Sequence, residues 1–238
     1  MMYFHNGSII LIKHRGFSAP GFSNSLKDKC VNRFCGRLKI SLPTYDDLEL
    51  VWDDDRSVRV IDREFTVAID PVSDISGDFE AAIVLITCRK GFDPEKLSEV
   101  CGRGTCVVLP DDMEGEMIPS KDREFVNPGD VIDIYGVLIE AVESGDTLSY
   151  RFSMKDSSFL VSPSPADLED VRSLENTANV AFLSTSSDTD LDKVVRNAVK
   201  LKPDLVIPYR YRGGRSLDGL KTELEDRNIE FRYADKQS

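Results

Sequence analysis

The sequence predicts an α/β fold in which helices cover the outer faces of β-sheets. Three observations carry this. From residue 48 onward, short β-branched runs alternate with polar turns, as in a β-meander. Two continuous apolar runs, at 81–87 and 105–109, bracket a capped helical segment. From residue 166 to 233, helical and strand patterns alternate as in successive βαβ units.

Taken in order, residues 48–52, 57–61 and 65–70 read as meander strands, and 81–87 (AAIVLIT) as a strand buried on both faces. Asp93-Pro94 opens a helix that runs to about residue 101, with Asp at the N-cap and Pro at the first helical position. Residues 105–109 form a second buried strand. A strand-rich stretch follows at 131–135, 137–142, 148–154 and 159–162, punctuated by Pro128-Gly129 and Gly145-Asp146. The final third reads helix 166–175, strand 178–183, helix 190–200, strand 204–208, helix 217–226 and strand 229–233. In the 190–200 helix, Leu191, Val194, Val195, Ala198 and Val199 fall at helical spacing and read as a core stripe.

The first 41 residues differ. They hold seven Lys/Arg against the single acid Asp28, lack sustained periodicity, and read with the next few positions as a basic, irregular extension over 1–44. The domain proper is expected over 45–238. Beyond residue 41 the chain carries 23 basic and 41 acidic side chains, a net charge of −18. That balance repels nucleic-acid phosphates and anionic membrane surfaces, so neither is an expected partner. No apolar run approaches the roughly 20 residues that span a bilayer, and a soluble, cytoplasmic protein is expected. The five cysteines are an odd number and read as reduced thiols, with Cys30 and Cys35 lacking the companions of a zinc site. The chain has two histidines, His5 and His14, and none after residue 14. A His general base or His-rich metal site in the domain is thereby excluded.

Ordered landmarks point to a family. They are W-x-x-x-x-S-V from Trp52 to Val58, A-I-D-P from Ala68 to Pro71, V-L-I-T from Val84 to Thr87, and D-P-E-K-L from Asp93 to Leu97. P-G-D then precedes G-V-L-I-E-A-V at Gly136 to Val142, and K-L-K-P-D-L-V-I-P-Y-R-Y runs from Lys200 to Tyr211. In this set the chain resembles the metallo-β-lactamase superfamily, in its branch of small metal-dependent hydrolases that includes the L-ascorbate-6-phosphate lactonase-like proteins. The resemblance implies an αββα four-layer sandwich: two mixed sheets face to face, helices outside, and the site at one edge.

It also implies a metal centre, which the residues contradict. Where the family writes H-x-H-x-D-H after V-L-I-T, this chain places Cys88, Lys90, Phe92 and Asp93. The His of W-L-G-H-A-S-V corresponds to Asp55, the His of Y-H-A-G-D to Ser162 and its Asp to Pro165, and the last ligand His to Arg210. Proline binds no metal, and a guanidinium repels one. Asp70 is expected to hold a strand-end turn.

The expected function is therefore that of a non-catalytic homologue, with no catalytic residues and no cofactor, binding a small anionic ligand or a protein partner. The vestigial site supplies Asp55, Cys88, Arg89, Lys90, Asp93, Ser162 and Arg210, with Arg89 or Lys90 and Arg210 as the anion-holding cations. The alternative is a lactonase- or phosphoesterase-type hydrolase with an atypical zinc or manganese site. It would be drawn from Asp53, Asp54, Asp55, Asp70, Cys88 and Asp93, since carboxylates also hold magnesium or manganese. Arg212-Gly213-Gly214-Arg215 and Ser184 to Ser187 read as surface and site-edge turns.

Overall fold

A computed structural model describes residues 2–5, 8–11, 38–41, 48–52, 56–63, 65–71, 79–90, 92–164, 178–211 and 216–233. Two short strands, β1 (Met2–His5) and β2 (Ser8–Leu11), form an antiparallel hairpin. The first large sheet holds β3 (Leu38–Ser41), β4 (Leu48–Trp52), β5 (Val58–Asp62), β6 (Phe65–Ile69), β7 (Ala81–Leu85), β8 (Cys101–Pro110) and β9 (Asp122–Val126). The second holds β10 (Val131–Ile134), β11 (Val137–Ser144), β12 (Thr147–Met154), β13 (Ser157–Ser162), β14 (Val180–Ser184), β15 (Leu205–Tyr209) and β16 (Glu230–Phe231). Each sheet opens with three antiparallel pairings and closes with three parallel ones. The two halves of the domain thus repeat one topology.

The parallel strands read as continuous apolar runs because both of their faces are covered. On β7, Ile83 and Leu85 point into the inter-sheet core, whereas Val84 packs with Leu97 and Val100 of α1 (Pro94–Val100). On β14, Val180 and Phe182 face inward, whereas Ala181 and Leu183 meet Val194, Val195 and Ala198 of α2 (Leu191–Leu201). Together with α3 (Asp218–Glu225), whose Leu220 and Leu224 share that outer cluster, these helices complete the αββα layering. The inter-sheet core is built from aliphatic side chains of both sheets, and its buried aromatics all come from the second. Phe152 and Phe159 stack with ring centroids 5.0 Å apart, and Tyr150 and Tyr209 are fully buried beside them.

Local chemistry sets the element ends. Asp93 caps α1 by accepting from the Glu95 and Lys96 N–H groups, and Asp190 caps α2 by accepting from Asp192 N–H. Lys202, in the left-handed region at φ 47°, stops α2 ahead of Pro203.

The structure departs from the sequence reading in four places. Leu38–Ser41, inside the segment read as the extension, pairs with β4 and forms the edge of the first sheet. The helix after Asp93 ends at Val100, and Cys101 already begins β8, so the predicted break before residue 105 is absent. β9 was not anticipated, because D-R-E-F-V is polar enough to resemble a loop, yet it pairs in parallel with β8 as an edge strand. On α2, Val199 is 40% exposed and Leu201 takes its place in the buried stripe. The predicted helix over 166–175 and the turn at 212–215 lie outside the described residues. No helix among the described residues is long and apolar enough to cross a membrane.

Replacing Phe159 with Ala should remove a fully buried ring from the inter-sheet stack. We expect a loss of about 3–5 kcal/mol in urea unfolding, with little change in the denaturant slope.

Candidate functional site

Strands β6 and β7 of the first sheet end beside β15 of the second, and the side chains just past those ends gather at one edge of the sandwich. Asp70 follows β6, Thr87 and Cys88 follow β7, and Arg210 follows β15. Asp70 is 5% exposed, so its carboxylate needs partners. It accepts from the Thr87 N–H at 2.7 Å on Oδ1, and from the Thr87 hydroxyl at 2.5 Å and the Tyr209 hydroxyl at 2.8 Å on Oδ2. This confirms Asp70 as the support of a strand-end turn. Arg210 Nη2 lies 3.5 Å from the same Oδ2, and also donates to Thr87 Oγ1 at 3.2 Å and Cys88 Sγ at 3.1 Å.

Two further bonds fasten this corner to the opposite sheet. The Tyr150 hydroxyl donates to the Ile86 carbonyl and the Leu148 N–H to the Thr87 carbonyl, each at 2.9 Å. Asp70 and Arg210 both adopt left-handed backbone, at φ 41° and 58°, where non-glycine residues are uncommon. Such conformations persist where surrounding contacts fix them, and they gather at functional sites. The Arg210 Nε is buried and has no hydrogen-bond partner.

The sequence-predicted residues separate into two groups. Cys88 and Arg210 are in contact, and Lys90 is exposed at the mouth of the cleft that both line. The others are committed elsewhere. Arg89 pairs with Glu116 at 2.7 Å and donates to the Asp112 carbonyl, so it is drawn away from Arg210. Asp93 serves as the α1 cap. Ser162 is buried, donating to the Ser164 carbonyl at 3.1 Å and accepting from the Ser149 hydroxyl at 3.2 Å. Asp55, with Asp53 and Asp54, lies outside the described residues. Sequence reasoning missed Tyr150 and Tyr209. Their signal was a tyrosine on a strand face otherwise formed by Leu148, Phe152 and Met154 or by Leu205 and Ile207, whose hydroxyl must find a partner when buried.

Above the corner lies a cleft of about 890 Å³. Lys90, Arg89 and Arg210 line it, as do Asp111, Asp112, Glu143, Asp146 and Asp188. The lining therefore mixes three cations with five carboxylates, and Arg89 already lies against Asp112 and Glu116. Cys88, Cys101 and Cys106 are free thiols, and burial pushes the Cys101 thiol up to about 12.

The metal centre implied by the fold does not fit these residues. Among the described residues, no three His, Cys, Asp or Glu side chains are grouped to hold an ion. The nearest donors, Cys88 and Asp70, are both engaged by the Arg210 guanidinium, a permanent cation.

The Tyr150 and Tyr209 hydroxyls are held well above the usual phenol range, first by burial and then by the Asp70 charge. Because the folded values are raised, the stability these groups contribute is complete below the unfolded phenol value of about 10 and is lost as pH rises beyond it. Urea midpoints should therefore fall above about pH 10, and Tyr209→Phe should fall less steeply than wild type there.

No family model and no curated protein sequence matches the chain. Solved structures do. A proposed metal-dependent hydrolase from Parabacteroides distasonis is similar at 19% identity and a TM-score of 0.70, over 84% of this chain and 98% of that one. CmlA, a diiron β-hydroxylase from Streptomyces venezuelae, superposes at 13% identity and 0.61, over 81% of this chain and 54% of that one. The metallo-β-lactamase fold protein YhfI from Bacillus subtilis does so at 11% and 0.60, over 75% and 87%. These neighbours and the repeated half-domain topology establish that the chain adopts the metallo-β-lactamase fold.

Proposed function

We propose that this protein is a non-hydrolytic member of its fold that binds a small anionic ligand in the cleft. The observation that carries the reading is the placement of Arg210. Its guanidinium sits against Asp70, Thr87 and Cys88, where a metal-dependent hydrolase of this fold needs open coordination positions. Hydrolysis requires an activated water, and without a metal or a poised base the site has no group to generate one. The described part of the site offers no imidazole, because both histidines of the chain precede residue 15.

Binding needs less. Lys90, which is exposed, and the partly buried Arg210 both line the cavity and offer it an ammonium and a guanidinium. The carboxylates in the lining restrict the ligand to one of low negative charge, since a polyanion filling the cleft would meet Glu143, Asp146 and Asp188. A phosphate or carboxylate borne on a small molecule meets both conditions. The same cations would serve an acidic side chain of a protein partner, but the concave cavity favours a small molecule.

Two measurements test this. Calorimetry with inorganic phosphate and small carboxylates should show saturable binding that Lys90→Ala weakens about tenfold, or 1.4 kcal/mol. No heat with any anion overturns the ligand assignment. Elemental analysis of the purified protein should find no stoichiometric zinc, manganese or iron, and esterase, lactonase and phosphodiesterase assays should be blank. Stoichiometric metal together with turnover would establish the atypical hydrolase instead.

A further inference from the structure

We infer that the ligand of this cleft carries a protonated amine beside its anionic group, as an aminoalkyl phosphate or an amino acid does. The inference rests on the anion-binding reading of the cleft, and it adds the second charge that the lining demands.

Two of the three cations in the lining are already matched within the chain, Arg89 by Glu116 at 2.7 Å and Arg210 by Asp70 at 3.5 Å. Lys90 is exposed and pairs with no carboxylate among the described residues. Asp111, Asp112, Glu143, Asp146 and Asp188 are exposed as well, and no cation among the described residues pairs with any of them. Asp188 accepts from the neutral Ser187 hydroxyl at 2.7 Å, which leaves its charge uncompensated. The unmatched charges of the cleft are therefore one ammonium and several carboxylates. An anion that filled it would satisfy Lys90 and be repelled by the rest of the lining, and a simple cation would meet the reverse. A ligand bearing both signs is complementary to both sets.

Backbone contacts set the acid-bearing loops against the strand ends that carry the cations. Glu143 stands opposite Leu148 in the β11–β12 register, and the Leu148 N–H donates to the Thr87 carbonyl at 2.9 Å. The turn that holds Glu143 and Asp146 thus abuts the segment that reaches Lys90 three residues later. The Thr185 N–H donates to the Tyr209 carbonyl at 2.8 Å, which brings the loop of Asp188 beside Arg210. The cleft's volume of about 890 Å³ lies in the upper part of the range of about 300–1,000 Å³ found for small-molecule sites. An inorganic anion at Lys90 would leave most of it unfilled, whereas an organic ligand long enough to occupy it meets the carboxylates.

Calorimetry at pH 7 with matched probes tests this. Ethyl phosphate is compared with 2-aminoethyl phosphate, propionate with β-alanine, and ethylamine supplies the amine alone. The amine-bearing member of one pair should bind about tenfold more tightly than its partner, and the pair that shows it identifies the anionic group. Glu143→Gln combined with Asp188→Asn should remove most of that advantage while the amine-free anion binds as well as before or better. Lys90→Ala should weaken both members of the pair. All three side chains are exposed, so these variants should fold. The inference is overturned by equal affinities within both pairs, by an advantage that survives the double substitution, or by ethylamine binding as tightly as 2-aminoethyl phosphate. Equal affinities remove the amine and leave the anion site standing, whereas a blank with every probe removes both.

Discussion

One enclosed carboxylate organises this edge of the molecule. Asp70 sits where two strand ends of the first sheet approach one of the second, and its oxygens collect donors from β7's end and from β15. A charge in that position is destabilising unless fully partnered. The partners therefore dictate neighbouring structure: the Thr87 turn, the inward Tyr209 hydroxyl, and the left-handed backbone that brings Arg210 back over its own strand end. Ser57 adds to the same knot by donating to the Asp70 carbonyl at 2.7 Å.

Proteins on this scaffold run different chemistries. The neighbours include a proposed metal-dependent hydrolase and a diiron β-hydroxylase, so the sandwich by itself specifies neither reaction. In this chain the side chains past the strand ends are hydroxyls, a thiol, a carboxylate and a guanidinium, which neutralise and hydrogen-bond one another. Such a constellation holds a shape and presents a charge.

Much of the architecture was legible because burial on two faces leaves an unmistakable apolar run. A-A-I-V-L-I-T and V-A-F-L-S are strands under any reading, and Asp-Pro at 93–94 marks a helix start by its capping chemistry. β9 was illegible because an edge strand with one face in water carries the composition of a loop. At the site, positional matching singled out Cys88 and Arg210, which do meet. It could not tell that Arg89 would be captured by Glu116, since that pairing depends on where the loop after β8 returns. The alternation of faces along β12 and β15 hid the tyrosines among residues that pack purely by shape.

The repeated half-domain topology has a consequence for how the site is divided. Strand register places Thr185, after β14, where Thr87 stands after β7, and Pro163 where Asp70 stands. Thr87 finds its carboxylate; Thr185 is equally buried, and its hydroxyl has no partner. One half therefore contributes the anion and the other the cation, so the corner is a heterodimer-like contact made within a single chain.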